Sequence, residues 1–278
     1  PYLLRKGCDI CGVKEEILVL VATSGDTGKA ALEGFKDAEG VKIMVFYPDD
    51  GVSSMQKLQM CTQEGKNVNV VAVKGNFDDC QTAVKNIFNS AEYAKILKEK
   101  NVLLSSANSI NFGRLAPQIA YYFSAYLDLV SSNQIEMGEE IDFCVPTGNF
   151  GNILAAYYAK RMGLPVRRLH CASNMNNVLT DFLAKGEYDV HREFYKTTSP
   201  SMDILVSSNL ERLLFEVSGR DAKVTAERMK ELKEKGVYKI TAKEQADINA
   251  IFDGGFADED DVVETIYDLF CDTGYTMD

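Results

Sequence analysis

ILVLVATSGDTGKAALEGF, residues 17 to 35, is the stretch on which the fold turns. It opens on an unbroken apolar run, Ile17 to Ala22, short enough for a strand buried on both faces. Small and hydroxylated residues follow, Thr23, Ser24, Gly25, Asp26, Thr27 and Gly28, and then a segment of helical composition. A strand that passes through a short polar turn into a helix is half of a parallel strand–helix–strand unit. The alternation continues outward: Val41 to Tyr47, Val68 to Val73, Val102 to Ser105, Ile141 to Val145 and Val166 to Cys171 are the further strands expected, with helices in the gaps. The sequence thus predicts an α/β protein of two domains with largely parallel sheets flanked by helices.

From Leu115, the residues Leu115, Ile119, Tyr122, Tyr126 and Leu129 recur at helical spacing, so that face belongs to a core and its tyrosines need no functional reading. SSNQIEMGEE, residues 131 to 140, is polar and follows this long helix, which places a domain change there and gives domains 1–135 and 136–278. Beyond Val217 the strand signal fades into charged helices such as Ala222 to Lys235. The acidic run Asp258 to Asp261 precedes an apolar periodicity from Val262 to Phe270, as suits carboxylates at a helix N-terminus; the ligand pattern of a calcium-binding EF-hand is absent.

Composition narrows the function classes. The 278 residues are 46% hydrophobic and 26% charged, the mix of a folded globular chain. The densest apolar stretch, Leu115 to Val130, is broken by Gln118 and Asp128 and falls short of the roughly 20 residues that span a bilayer, so no membrane partner is expected. A net charge of -11 argues against nucleic acid as a partner, leaving small, locally bound anions. Seven scattered cysteines suit a reducing compartment, and cytoplasm is the expected location. Cys8 and Cys11 form a CxxC without a second pair or nearby histidine, so two ordinary thiols and no metal are expected there.

Two turns are suited to anions. In the first, Thr23 to Gly28 offer hydroxyls and the unpaired amides of a helix start; a phosphate-binding P-loop would need glycine in place of Thr23 and a hydroxyl in place of Ala30. The second lies in IDFCVPTGNFGNILAAYYAKRMG, residues 141 to 163, again strand, glycine-rich turn and helix. There the amides around Gly148, Asn149, Phe150, Gly151 and Asn152 could hold a phosphate monoester by hydrogen bonds and the helix dipole. Between them SSANSINFGR, residues 105 to 114, carries Asn108, Ser109 and Arg114 after a strand end. These either cap a helix or hold an anion, and a guanidinium fork matches phosphate or carboxylate.

ATSGDTG, SANSIN followed three residues later by Arg114, and GNFGN after a strand resemble the threonine synthases of bacteria and fungi, as do YPDDGVSSMQKLQM at 47–60 and ASNMNNVL at 172–179. The likeness runs through most of residues 15–215. It implies a pyridoxal-phosphate enzyme of fold type II, like the tryptophan synthase β chain, with pyridoxal 5'-phosphate in the cleft between two α/β domains. The implied reaction takes O-phospho-L-homoserine and water to L-threonine and phosphate. On this resemblance Gly148, Asn149, Phe150, Gly151 and Asn152 cradle the cofactor phosphate, with Asp26 beside the cofactor. Thr23, Ser24, Gly25 and Thr27 take the substrate carboxylate, and Asn108, Ser109 and Arg114 hold the substrate phosphate with help from Thr27. The rivals are another fold type II phospho-lyase or dehydratase, and a non-catalytic domain that binds a phosphorylated metabolite.

The family's Schiff-base lysine sits in an FKD segment shortly before the strand at Ile17, whereas these residues open on PYLLRKG. The lysine is therefore expected upstream of Pro1. No catalytic residue is assigned within residues 1–278, which are expected to be an inactive fragment by themselves. Lys6 lies at the wrong end of the corresponding helix, and Lys29 reads as a solvent-facing residue. DTGYTMD likewise stops before the family segment whose Ser or Thr faces the pyridine nitrogen. The sequence leaves the oligomeric state open.

Overall fold

The computed structural model describes residues 1–23, 25–75, 77–108 and 111–277. The chain divides into two compact units, Pro1–Asn111 and Phe112–Asp278.

The first unit is built on a parallel sheet in the order β3-β2-β1-β4, from β1 (Glu16–Ala22), β2 (Val41–Pro48), β3 (Val68–Val73) and β4 (Val102–Ser106). Helices α1 (Tyr2–Cys11), α2 (Asp26–Phe35), α3 (Ser54–Cys61), α4 (Phe77–Asn89) and α5 (Ala91–Glu99) complete it. The apolar run of β1 is explained by burial on both sides. Val19 and Val21 pack with Leu32 of α2 and Met60 of α3, while Leu20 and Ala22 pack with Cys80 and Val84 of α4. Both polar turns of this unit therefore leave the carboxyl ends of β1 and β4, where a covered parallel sheet exposes its connections.

The second unit holds a smaller parallel sheet, β5 (Ile141–Pro146), β6 (Val166–Ser173) and β9 (Phe252–Phe256) in the order β5-β6-β9, and an antiparallel ribbon of β7 (Glu187–Asp189) and β8 (Val237–Lys239). Its helices are α6 (Phe112–Leu115), α7 (Ile119–Ser131), α8 (Gly151–Arg161), α9 (Val178–Lys185), α10 (Leu210–Val217), α11 (Ala222–Lys235), α12 (Ala242–Asn249) and α13 (Glu259–Thr273). One face of the sheet, with Val145, Leu169, Cys171 and Phe252, enters a core formed with Ile153 and Leu154 of α8 and Phe182 of α9. The opposite face is polar: His170 lies between Asp253 (2.5 Å) and Asp142 (3.5 Å), carboxylates of the two neighbouring strands.

The contact boundary falls at Phe112, before helix α7, whereas the polar stretch 131–140 suggested a division after it. Tyr122 and Tyr126 of α7 are buried in the core of the second unit, so packing assigns this helix by its apolar face. The strands of the C-terminal part, β8 and β9, escaped the sequence reading. β9 is FDGGF, where two glycines erase the apolar signature, and β8 has three residues. The acidic run begins α13 as a reciprocal capping box between Asp258 and Asp261.

Candidate active site

Sheet geometry and helix capping shape the turn after β1. Thr23 is buried, and its hydroxyl accepts from the amides of Gly25 (3.0 Å) and Gly28 (2.9 Å) while donating to the Gly25 carbonyl (3.1 Å). This closes the turn on itself and starts α2 at Asp26. Gly25, with φ 149° and ψ -94°, occupies a conformation disfavoured for a side chain, and the amide group of Gln56 fills the space where a Cβ would stand. Gln56 then donates to the Asp26 carboxylate at 2.8 Å, while its own oxygen accepts from the Ser53 amide at 3.1 Å. Asp26 and Thr27 are thus at an exposed helix start, with Thr23 behind them. Ser24 and Ser109, both expected to touch substrate, lie outside the described residues.

Asn108 does something the sequence did not announce. Its side-chain amide donates to the Ala22 carbonyl (2.7 Å) and its oxygen accepts from the Ala22 amide (3.1 Å). The side chain imitates one more rung of the β1–β4 ladder, tying the two strand ends together and placing Asn108 beside the start of the Thr23 turn.

In the second unit the turn between β5 and α8 is held from several sides. Asn149 Oδ1 accepts from the Gly151 amide at 2.9 Å. Phe150 adopts a left-handed conformation, φ 64°, at roughly 1 to 2 kcal/mol cost for a non-glycine residue. Complete burial of its ring beside Phe252, with centroids 5.6 Å apart, offsets this cost. Phe150 therefore offers its main chain to a ligand and its ring to the core. A Cβ on Gly148 would come to 3.1 Å from the Met202 Cα, the Ser201 carbonyl oxygen and Ile204, so this turn lies flat against the segment after residue 200.

Behind the turn, Ser207 Oγ donates to the Gly148 carbonyl (2.7 Å), and Asn209 donates to the Asn149 carbonyl from its amide (3.0 Å) and its side chain (3.1 Å). Among the described residues no protein acceptor meets the amides of Asn149, Phe150, Asn152 or Ile153. These donors surround the N-terminus of an eleven-residue helix, the combination that binds phosphate. The residues present thus fit a phosphate-bearing cofactor.

Arg114 belongs to the same unit. Its carbonyl accepts from Gln118 Nε2 (2.8 Å), and Gln118 Oε1 accepts from Asn152 Nδ2 (3.0 Å). Asn152 Oδ1 in turn accepts from the Tyr122 hydroxyl at 2.6 Å. One hydrogen-bond chain thereby joins the Arg114 carbonyl to the glycine-rich turn through Gln118, while Tyr122, which the sequence assigned only to a core face, braces Asn152. Burial lowers the pKa of the Arg114 guanidinium, though an arginine stays cationic, and the same cause raises that of the Tyr122 phenol. On β6, burial pushes the Cys171 thiol up to about 12, which keeps it a neutral core group.

The family model of the pyridoxal-phosphate dependent enzymes matches residues 2–238. The chain belongs to this family. Threonine synthase-like 1 of Homo sapiens is 44% identical over 268 residues, which cover 94% of this chain and 36% of that protein. Threonine synthase of Pseudomonas aeruginosa is 39% identical over 264 residues, 95% of this chain and 54% of its own. The crystal structure of pyridoxal-phosphate-bound threonine synthase from Brucella melitensis superimposes with a TM-score of 0.88 at 41% identity, covering 99% of this chain and 57% of that one. The chain therefore spans between about a third and somewhat over half of these relatives. As a member of the family it takes pyridoxal 5'-phosphate as cofactor and has the α/β fold of the type II enzymes.

Among the described residues no group of three or more His, Cys, Asp or Glu is placed to hold a metal ion, and no helix is long and apolar enough to cross a membrane. Cys8 is buried and Cys11 exposed, both as free thiols.

Proposed function

We propose that these residues form part of a threonine synthase, which converts O-phospho-L-homoserine and water to L-threonine and phosphate. The observation that carries the reading is the turn at 148–152, in which the amides of Asn149, Phe150 and Asn152 meet no acceptor among the described residues and which is joined by hydrogen bonds to the Arg114 carbonyl. The 39% identity to the Pseudomonas aeruginosa threonine synthase supports the substrate class. Bound pyridoxal phosphate supplies the electron sink for carbanions at Cα and Cβ.

The protein's own residues bind and orient. The amides of Asn149, Phe150 and Asn152 hold the cofactor phosphate, with Gly148 and Gly151 permitting the close approach. In the second unit Arg114 is the group proposed for the substrate phosphate, and in the first unit Asn108, Ser109 and Thr27 are the substrate-binding candidates. Asp26, kept in place by Gln56, is proposed as a cofactor contact, and the Thr23 to Thr27 turn takes the substrate carboxylate, with Thr23 shaping that turn through its hydroxyl. Retaining the leaving phosphate beside a cation stabilises the charge that develops as it departs.

Neither Lys6 nor Lys29 is the lysine that carries the cofactor on this reading. Lys6 is exposed, and Lys29 is engaged by Gln63 and by Glu33 on the outer side of α2. Residues 1–278 alone should accordingly release no phosphate from O-phospho-L-homoserine. Borohydride reduction followed by peptide mapping should find no stoichiometric adduct at either position; such an adduct would overturn this assignment.

A second reading is a phospho-lyase that eliminates phosphate without adding water at Cβ, which would draw on the same anion-binding residues. Product analysis with the catalytically complete polypeptide separates the two. L-threonine with phosphate supports the first, and 2-oxobutanoate with ammonia and phosphate supports the second.

A further inference from the structure

We infer that Ser207 is a positioning residue that aims the phosphate-binding amides, with Asn209 as its partner. The inference rests on the reading of 148–152 as the cofactor-phosphate turn and adds to it residues outside the glycine motif. A peptide unit is planar, with its carbonyl and its N–H pointing in opposite directions. The Ser207 hydroxyl fixes the Gly148 carbonyl at 2.7 Å, and so it fixes the direction of the Asn149 N–H. Asn209 fixes the Asn149 carbonyl twice, at 3.0 and 3.1 Å, and so the direction of the Phe150 N–H. Both donors lie behind the turn, and both amides are turned to the opposite side, where no described protein group accepts from them.

The latch is itself anchored. The Ser207 amide donates to the Tyr188 hydroxyl (2.8 Å), which donates to the Leu205 carbonyl (2.9 Å). Tyr188 is buried and stacks on Tyr238 of the β7–β8 ribbon, with ring centroids 5.3 Å apart and planes within 5°. Upstream, Asp203 accepts from Asn174 (2.8 Å), Asn176 (3.0 Å) and Thr197 (2.7 Å), so the segment that carries Ser207 is tied to the end of β6. Two fixed points on either side leave residues 204–207 little freedom to follow a displaced turn. Asn209 contributes through its backbone amide as well as its side chain, so truncating it removes only one of two bonds. Truncating Ser207 removes the only hydrogen bond that the Gly148 carbonyl receives among the described residues.

Equilibrium dialysis of residues 1–278 against pyridoxal 5'-phosphate and against pyridoxal, which lacks the phosphate, tests the inference. The ratio of the two affinities isolates the phosphate contribution from general folding effects. Ser207→Ala should lower that ratio about tenfold, the scale of one well-placed hydrogen bond to a charged group, while leaving pyridoxal binding unchanged; Ser207→Thr, which keeps a hydroxyl, should restore it. Tyr188→Phe, which removes the acceptor of the Ser207 amide, should lower the ratio about threefold. A preference for the phosphorylated form that survives Ser207→Ala overturns the latch alone. If Ser207→Ala does not fold, an unchanged ratio in folded Tyr188→Phe overturns it instead. Equal affinities for the two compounds in the unaltered chain would overturn the phosphate reading of the turn and the latch with it.

Discussion

In the first unit the turn after β1 is closed by its own Thr23 hydroxyl, which takes up the amides of Gly25 and Gly28, whereas the turn after β5 is held from behind by Ser207 and Asn209 acting on its carbonyls. Both are a buried parallel strand, a glycine-bearing turn and a helix start. They differ in where the polar groups of the turn are satisfied. A turn that consumes its own donors keeps its shape without a ligand and offers few fixed N–H groups. One whose carbonyls are anchored elsewhere presents a preformed row of donors. The first suits a ligand that comes and goes, the second a phosphate that stays, in keeping with the division into substrate and cofactor turns proposed above.

The largest effect that would sharpen this contrast concerns the substrate phosphate. In the catalytically complete polypeptide, Arg114→Ala should cost about 2 to 4 kcal/mol of kcat/KM, the scale of losing a charge-assisted contact to an anion. Unchanged turnover of O-phospho-L-homoserine would remove Arg114 from the site. Next come the two turns themselves. Gly148→Ala brings a Cβ to 3.1 Å from the Met202 backbone and the Ser201 carbonyl, and should cost about 1 to 3 kcal/mol by displacing the turn. That loss should appear in the affinity for pyridoxal 5'-phosphate as well as in chemical denaturation. Thr23→Val leaves the buried Gly25 amide without its acceptor and the Gly28 amide with only the Gly25 carbonyl, and should cost about 1 to 3 kcal/mol of stability, with cofactor affinity unchanged. Equal effects of the two substitutions on cofactor affinity would break the contrast.

The smallest effect is a pH dependence on the polar face of the second sheet. The hydrogen bond that His170 donates to Asp253, and secondarily to Asp142, raises its pKa above the ordinary 6.5. Because the folded value lies above the unfolded one, this stabilisation is complete below about pH 6.5 and is lost as pH rises through the folded value. The Arg167 guanidinium holds Asp142 below the ordinary carboxylate range, so Asp142 remains ionised across that window. All these groups are partly exposed, so solvent screening keeps the effect small. Denaturation midpoints measured from pH 6 to 9 should fall slightly in the unaltered chain and less so in His170→Asn; identical slopes would show that the two carboxylates do not act on His170.

The sequence makes the frame legible because parallel strands buried on both sides are written as short apolar runs, and the six expected runs are β1 to β6. It conceals β9, because Gly254 and Gly255 pair by backbone alone with Cys171 and Ala172. The positions of the anion turns could be read from their glycines, but their orientation could not. Ser207, Asn209, Gln56, Gln118 and Tyr122 act through contacts 30 to 60 residues away in the chain, at positions of ordinary composition. Asn108 was visible as a polar residue at a strand end, yet its bonds to both backbone groups of Ala22 depend on β4 lying beside β1. Local chemistry identifies which segments can hold an anion, and long-range packing decides where their amides point.

Amide-resolved NMR during titration of residues 1–278 with pyridoxal 5'-phosphate addresses the cofactor-phosphate turn most directly. The N–H resonances of Asn149, Phe150, Asn152 and Ile153 should move downfield together as their protons meet the phosphate, with pyridoxal leaving them in place. Saturable shifts confined to Gly25, Asp26 and Thr27, with the 149–153 amides unmoved, would contradict the assignment of that turn.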